Sequence, residues 1–229
     1  PKRTFLGLVA ESELDEEFRR DVANIRMDGP AGKVNFVLSE EPQVRGMPAT
    51  HTKAQRSLFT LIPTLAETEA NYSASQRGEL PARLWVDCVL ASNVDATLAP
   101  ADRHMLTCFV QYLPYRLREG HWDAEREPLG DRVTELIGQY APGFAQSVIA
   151  RRVYTPLDLE TVFGITEGNI FHGDISLEQL FFMRPLPKWA HYRTPIDGLY
   201  LCGAGTHPGG GVTGAPGYNA ARAILKAGR

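Results

Sequence analysis

The sequence predicts an α+β fold in which helices flank a mixed or antiparallel sheet. Several short segments alternate apolar and polar residues, which is the pattern of a strand with one buried face. Two other segments repeat apolar residues every three or four positions, as amphipathic helices do. These segments do not follow the regular strand–helix order of a parallel sheet, so an α+β layer is the better prediction.

A helix is predicted first along the chain. Ser12 is its candidate N-cap, and the turn DGPAG at residues 28–32 is expected to end it. Four apolar residues with helical spacing form its predicted buried face: Leu14, Phe18, Val22 and Ile25.

Five strands are predicted next, from alternating or continuous apolar runs. They cover residues 34–38, 58–62, 84–90, 106–112 and 148–154. Residues 92–103 include a proline and too few apolar positions, so no element is predicted there.

A second helix is predicted between the last two of these strands. Pro128 is placed near its start, where the missing N–H does no harm. Its predicted buried stripe has five members: Leu129, Val133, Leu136, Ile137 and Tyr140.

Ser176 and Gln179 have the spacing of a capping box and are expected to open one or two helical turns. A short buried strand at residues 199–202 and a helix from about residue 212 to 226 complete the prediction.

Charge and polar composition argue against several classes of site. A net charge of −3 with a pI near 6.1 gives no basic surface for nucleic acid. No apolar run reaches the ~18 residues that a transmembrane helix needs. The histidines have no short metal-ligand spacing, so no metal site is predicted.

The three cysteines, Cys88, Cys108 and Cys202, are far apart in the sequence, and each lies in an apolar run. An odd, dispersed set indicates buried free thiols and a reducing compartment. No signal peptide is recognised, so the bacterial cytoplasm or an organellar matrix is the expected location. Because the first residue is proline, the chain is expected to be a piece of a longer one.

The most informative segment is LYLCGAGTHPGGGVTGAPGYNAA, with seven glycines between Gly203 and Gly217. Glycine weakens ordinary helices and strands, so this density indicates a backbone that approaches something closely. Gly209, Gly211 and Gly214 match G-x-G-x-x-G, but the strand and acidic residue of a dinucleotide fingerprint do not follow. A complete Rossmann unit is therefore not expected in this chain.

The remaining interpretation is a strand, a glycine turn and the N-terminus of a helix. Main-chain N–H groups without neighbouring Cβ atoms can reach a planar or anionic ligand, and a helix start adds roughly half a positive charge. This arrangement suits the pyrimidine edge of a flavin, and it also suits a phosphate. The alternative is a tight turn in which close helix–strand packing alone requires small residues.

The same segment resembles the C-terminal flavin-binding segment of the phytoene desaturase-like FAD oxidoreductases. Further stretches are similar, in order along the chain: SNVDATLAP, VQYLPY, YTPLDLE, GNIFHGDISLEQLFFMRP and YRTPIDGLYLCGAGTHPGGG. The resemblance implies a substrate-side domain at residues 1–195. It also implies that residues 196–229 form a final strand, glycine turn and helix that complete an FAD-binding domain, whose N-terminal Rossmann part is absent from this sequence.

The resemblance further implies which residues meet the cofactor, FAD. Three are implied near its pyrophosphate and ribityl chain: Gly203, Ala204 and Gly205. Three more are implied to turn their N–H groups toward the isoalloxazine: Gly210, Gly211 and Val212. Gly214 would allow close approach of the main chain.

The expected function is that of the C-terminal part of an FAD-dependent oxidoreductase, of dehydrogenase or desaturase type, acting on an apolar small molecule. This part alone is expected to be inactive, because a missing N-terminal half would hold much of the FAD. The alternative is a non-catalytic module for dimerisation or partner binding, with self-association through exposed apolar surface.

No catalytic base is identified, and two residues are weak candidates for a catalytic role. The resemblance places His172 beside the flavin and substrate, where it would shape the pocket or move a proton; the alternative is a structural histidine bonded to the backbone. Arg184 is expected to face an anionic ligand or the flavin edge, or else to pair with a local carboxylate.

Overall fold

The computed structural model describes residues 1–228, which divide into two compact units. The sheet unit is Gly29–Gly168. The terminal unit combines Pro1–Asp28 with the chain from Asn169 onward. These boundaries differ from the division between residues 195 and 196 that the resemblance implies, and that functional division stays a prediction.

The sheet unit is built on five antiparallel strands in the spatial order β2-β3-β4-β1-β5. The strands are β1 (Gly32–Leu38), β2 (Leu58–Leu61), β3 (Trp85–Leu90), β4 (His104–Gln111) and β5 (Val148–Tyr154). All five predicted strands are present, each within two or three residues of its expected bounds. The predicted α+β class, with an antiparallel sheet, is confirmed.

One face of this sheet forms the core of the unit. The alternating residues of β1, β3 and β4 that the sequence assigned to a buried face are almost fully buried: Val34, Phe36, Leu38, Val86, Cys88, Leu90, Leu106, Cys108 and Val110. Because side chains alternate along a strand, the residues between them lie on the opposite face and stay half-buried or exposed.

Four helices belong to the sheet unit: α2 (Leu65–Gln76), α3 (Trp122–Tyr140), α4 (Phe144–Ser147) and α5 (Pro156–Phe163). Helix α3 covers the buried sheet face with Leu129, Val133 and Ile137. Its predicted start at Pro128 is wrong. The helix begins at Trp122, and Pro128 lies inside it.

Three helices of the sheet unit were missed: the short α4, and also α2 and α5, which lack a clear apolar stripe. Helix α2 buries only Asn71 and Ser75. Helix α5 has Pro156 at its first position. Both begin with a capping box, in which a threonine and an acidic residue three positions later exchange side-chain and backbone hydrogen bonds.

The terminal unit contains α1 (Glu16–Ala23) and α6 (Ala215–Ala227). The N-cap of α1 is Asp15, whose carboxylate accepts a hydrogen bond from the Phe18 N–H, so the prediction of Ser12 is wrong. All four residues of the predicted buried face of α1 are buried. Phe18 makes edge-to-face contacts with Phe5 at 4.9 Å and with Trp189 at 5.1 Å between ring centroids.

Short helical turns and the last helix complete the terminal unit. The turn predicted after Ser176 is present as the 3₁₀ turn Leu177–Gln179, although the Ser176 side chain caps nothing. A second 3₁₀ turn, Phe181–Met183, follows it. The final helix begins at Ala215, three residues later than expected.

The strand predicted at residues 199–202 is absent, and this expectation is wrong. Tyr200 forms only an isolated bridge to Arg193. A strand needs a neighbour along its length to pair its N–H and C=O groups. Here the pairing consists of one bridge, flanked by Leu201 N–H donating to Tyr192 O at 2.8 Å, and the Thr194 hydroxyl, which donates to Leu199 O at 3.0 Å, closes the turn between them.

Two further expectations concern membranes and cysteines. Within residues 1–228, no helix has the length and apolarity to span a bilayer. Cys88, Cys108 and Cys202 are free thiols, as predicted. Cys88 and Cys108 are buried, but Cys202 is exposed, so the prediction of burial is wrong for Cys202. It lies in the segment that fails to form a strand.

Candidate cofactor site

The glycine-rich segment of the terminal unit follows a path that favours glycine. Gly209 has a φ of 124° and Gly211 a φ of 118°, values that residues with a Cβ rarely adopt. Gly214, with a φ of 71°, is the N-cap of α6. Val212 also has a positive φ, 56°, and its side chain is fully exposed.

The main-chain amides of this segment are available to a ligand. Among residues 1–228, none of the amides from Gly210 to Gly214 donates a hydrogen bond to a protein oxygen. At the start of α6, the Ala215 N–H donates to Thr213 Oγ1 at 3.2 Å and Pro216 has no N–H, so the first turn adds only the Gly217 N–H to these donors. The partial positive charge of the helix start lies at the same place.

A cavity of about 640 Å³ opens over these amides. Its lining is mainly apolar side chains and glycine backbone: Ile170, Phe171, Cys202, Gly203, Ala204, Gly209, Gly210, Gly211, Val212, Thr213, Gly214, Pro216 and Gly217. Six of the seven residues implied to meet a cofactor line it, and the seventh, Gly205, is buried outside the lining.

Gly210 shows why a side chain is excluded from part of this wall. A Cβ at Gly210 would lie 2.9 Å from the Phe171 ring and 3.3 Å from the Ala204 methyl group. The first of these distances is too short for two carbon atoms, so a larger residue would displace Phe171. The glycine therefore allows the 210–214 segment to pack directly on the wall of the cavity.

Known proteins resemble this chain over nearly its whole length. The chain is 39% identical to pyridine nucleotide-disulfide oxidoreductase domain-containing protein 2 of Rattus norvegicus, over 99% of this chain and 40% of the rat protein. The mouse protein of the same name matches at the same identity and coverage. This chain is a relative of pyridine nucleotide-disulfide oxidoreductase domain-containing protein 2. It spans about 40% of the length of these relatives.

Shorter matches link this chain to proteins named as a dehydrogenase and a desaturase. One of the limonene dehydrogenase polypeptides of Castellaniella defragrans is 37% identical over 50% of this chain and 21% of its own length. The lycopene-forming phytoene desaturase of Pantoea ananas is 36% identical over 45% of this chain and 20% of its own. The predicted resemblance to phytoene desaturase-like proteins is thus confirmed.

Two other comparisons complete these findings. No protein-family model matches the chain. A solved oxidoreductase from Methanosarcina mazei has a TM-score of 0.47 at 15% identity, over 96% of this chain and 39% of that one.

His172, one of the two weak catalytic candidates, lies beside the cavity wall but not in its lining. It is half-buried with a φ of 57°, and its N–H donates to Asn169 O at 3.0 Å. Burial is the main cause that lowers the pKa of His172 below its usual value, and the positive charge of Arg184 acts in the same direction. A neutral imidazole is therefore the favoured form near neutral pH. Its catalytic role stays a prediction.

Arg184, the other candidate, is buried beneath the cavity, with 3% of its surface exposed. Its guanidinium donates to main-chain carbonyls rather than to a carboxylate. Asp174, whose charge acts on the pKa of Arg184, pairs instead with Arg26 at 3.3 Å. The ion pair with a local carboxylate, one of the two alternatives expected for Arg184, is not found within residues 1–228, and its role toward a ligand stays a prediction.

Three residues at or near the cavity were not predicted to belong to the site: Asn169, Phe171 and Cys202. Asn169 is buried, and its amide donates to Asp28 O at 2.8 Å while its carbonyl accepts from Phe171 N–H at 2.9 Å. Phe171 and Cys202 then line the cavity. The sequence does contain a signal for Asn169, which follows a glycine in EGNIF. Asparagine side chains in turns often form hydrogen bonds with nearby backbone.

A histidine within the glycine segment, His207, is held by aromatic contacts. Its ring stacks on Phe182 with centroids 5.1 Å apart, and Tyr192 donates its hydroxyl to His207 O at 3.1 Å. The His207 Nδ1 is buried and has no partner among residues 1–228. No group of three or more His, Cys, Asp or Glu in the described chain is arranged to bind a metal ion.

Proposed function

We propose that this chain is the C-terminal part of an FAD-dependent oxidoreductase and that its glycine-rich cavity holds part of the flavin. The free amides at 210–214 carry the proposal. Five successive donors beside a mainly apolar cavity suit a flat ring with one polar, electron-accepting edge. The oxidoreductase names of the relatives agree with this assignment.

The residues present fit a flavin in three respects. Gly209 and Gly211 adopt backbone angles that residues with a Cβ rarely take, so this path of the chain along the cavity favours glycine. Gly210 lets the donor segment lie against Phe171. The start of α6 supplies partial positive charge where negative charge grows on a flavin as it accepts electrons.

Each group in this chain then has a defined task. The amides of Gly210, Gly211 and Val212 would orient the ring and stabilise its negative charge, while Gly203 and Ala204 would border the rest of the cofactor. Phe171 and Ile170 would exclude water from one side. FAD, when bound, would supply the capacity to accept electrons from the substrate.

The proposed substrate is an apolar small molecule. In the sheet unit, the face opposite α3 carries Trp85, Val89 and Phe109, all half-buried rather than fully covered. Such a surface is able to contact an apolar molecule. The relatives named limonene dehydrogenase and phytoene desaturase are consistent with this class.

The first test measures FAD binding by this chain alone and by the complete protein that contains it. We expect weak or undetectable binding by the chain alone, because its cavity supplies only part of the contacts, and stable flavin binding by the complete protein. Tight stoichiometric binding by the chain alone would contradict the proposed division, and a complete protein that binds no FAD would refute the cofactor.

Cys202 gives a second readout at the cavity itself. Its thiol is exposed and lines the cavity, whereas Cys88 and Cys108 are buried in the sheet unit. Bound FAD should slow the alkylation of Cys202 by iodoacetamide in the complete protein. Cys88 and Cys108 serve as internal controls. An alkylation rate of Cys202 that does not change at saturating FAD would place the flavin elsewhere.

A second candidate function is a dimerisation or partner-binding module without turnover. It is favoured by apolar side chains on α6, where Tyr218, Ile224 and Leu225 are 63%, 46% and 69% exposed. Sedimentation of the chain with and without the N-terminal half separates the two candidates. A stable dimer that is indifferent to that half supports the module, whereas flavin retention only in the mixture supports the oxidoreductase.

A further inference from the structure

The wall of the cavity is held together by one buried side chain. Phe171 and Ala204 both line the cavity, although they are 33 positions apart in the sequence. Each presents its main-chain carbonyl to the same guanidinium, that of Arg184. Nε donates to Ala204 O at 2.8 Å, and Nη2 donates to Phe171 O.

The remaining donors of Arg184 bind the turns around it. Nη1 donates to Gln179 O at 3.0 Å and to Asp174 O at 3.2 Å, and Nη2 also approaches Gly173 O at 3.5 Å. Arg184 thus contacts five carbonyls from three separate stretches of backbone. A planar guanidinium with five N–H groups in fixed directions is the only side chain that can do this.

Two further observations connect this cluster to the cavity. The Arg184 Cδ and Nε lie 3.8 and 3.9 Å from the position that a Cβ on Gly209 would take, so the side chain is directly behind the glycine segment. Among residues 1–228 the Arg184 charge has no carboxylate in salt-bridge contact, and burial lowers the pKa of this guanidinium. A charged group so placed is retained at a cost in stability, which points to a role in shaping the site.

We propose that Arg184 is a positioning residue for the cofactor site. By fixing Phe171 and Ala204 against each other, it holds the cavity open in the shape that the ring requires. Loss of this anchor should let the two wall segments separate and reduce the fraction of molecules with a competent site. This inference rests on the proposed function only in taking FAD as the ligand. The organisation of the cavity wall by Arg184 does not depend on which ligand binds.

The test compares Arg184→Lys and Arg184→Met with the parent in the complete protein. Lysine keeps the charge but cannot reach five carbonyls, so both variants should behave alike. Hydrogen–deuterium exchange without FAD should become about tenfold faster in peptides that cover residues 169–175 and 201–207. The dissociation constant for FAD should rise by about tenfold, as expected if only about one tenth of the molecules keep a competent wall.

Arg132→Lys is the matched control. Arg132 also donates to main-chain carbonyls, those of Pro81 and Ala82, but it lies in the sheet unit. This control should change neither the exchange of the two cavity peptides nor FAD affinity. Exchange in β1, β3 and β4 reports whether each variant is folded. If Arg184→Met does not fold, Arg184→Lys decides the outcome alone.

The possible results separate this inference from the proposed function. Unchanged exchange in both Arg184 variants refutes the positioning role, even if the parent binds FAD. Loss of FAD binding in Arg184→Met but not in Arg184→Lys shows that only the charge matters, and it also refutes positioning. If the parent binds no FAD, the proposed function fails, but the exchange comparison still decides the role of Arg184.

Discussion

Cys88 and Cys108 are directly opposite each other on β3 and β4, with their Sγ atoms 3.7 Å apart in the core of the sheet unit. Both side chains are completely buried. Burial, followed by the neighbouring thiol of Cys88, raises the pKa of Cys108 well above its usual value. Because the thiolate is the reactive form, this raised pKa protects Cys108, and complete burial protects Cys88, without a disulfide between them.

The three thiols should therefore react at very different rates. In the native protein at pH 8, we expect iodoacetamide to alkylate Cys202 completely before it alkylates Cys88 or Cys108 to a measurable extent. All three should react at similar rates in 6 M guanidinium chloride, a denaturing concentration typical for small domains. Mass spectrometry of tryptic peptides measures each site. Modification of Cys88 in the native chain as fast as that of Cys202 would contradict the buried pair.

Phe36 provides a test of the sheet core. Its side chain is 0% exposed and packs edge-to-face on Phe144 at 5.2 Å. Phe36→Ala should lower the free energy of unfolding by about 3–5 kcal/mol, because it leaves a cavity in a close-packed interior. Val37 follows on the same strand but points to the opposite, half-buried face. Val37→Ala should cost about 1 kcal/mol or less in urea unfolding, and equal losses would contradict the assigned register.

Strand positions could be predicted because one face of the sheet is buried. A one-residue shift in the register of β1 would move Val34, Phe36 and Leu38 to the other face of the sheet. The alternating pattern therefore specifies the register strongly. Helix α2 has no such pattern, since its buried residues are Asn71 and Ser75. Its capping box was visible at Thr64 and Glu67, but a cap without an apolar stripe did not predict a helix.

The site could be predicted only where side-chain identity determines backbone geometry. The density of glycine indicated close approach, and the structure brings most of those glycines to one cavity. The position of Arg184 could not be inferred, because its partners are main-chain carbonyls, which every residue has. The absence of a strand at 199–202 depends on a neighbour that no local pattern can supply, and it explains the exposure of Cys202.

Asp158 should give the sheet unit an acid-sensitive contact. Burial alone would raise its pKa, but hydrogen bonds from Arg126 and from the Thr155 backbone and hydroxyl lower the pKa below its usual value of 3.8. A carboxyl with a lowered pKa in the folded state stabilises the protein above the pKa of the unfolded state. That stabilisation is lost as pH falls through the folded value.

Urea unfolding of Asp158→Asn between pH 2 and 6, a range around the reference pKa of aspartate, should show a weaker dependence of stability on pH than the parent. Asp123→Asn is the control, since Asp123 contacts the same Arg126 at 3.1 Å but is exposed. Exposed ion pairs contribute little, so this control should keep the parental pH dependence. If the stability of Asp158→Asn falls at acid pH as steeply as that of the parent, other carboxylates account for the acid sensitivity.

The glycine segment can be tested by comparing two alanine substitutions that differ in backbone geometry. Gly211 has a φ of 118°, so Gly211→Ala should destabilise the terminal unit by about 1–3 kcal/mol through strain. Gly217 lies in α6 with ordinary helical geometry, and a Cβ there would meet nothing within 4 Å. Gly217→Ala should therefore leave stability unchanged or raise it by up to about 1 kcal/mol, because alanine favours a helix.

The thermal midpoint and FAD affinity of the complete protein give the two readouts. Gly211→Ala should lower both, because the strained turn either unfolds locally or moves the amides of Gly211 and Val212 away from the ring. A Gly211→Ala protein with parental stability but weaker FAD binding would locate the effect in the site alone, since the backbone has then adapted without loss of fold. If the thermal midpoint and FAD affinity of Gly211→Ala both equal those of the parent, neither the fold nor the site needs glycine at position 211. Glycine is then not what keeps the amides accessible.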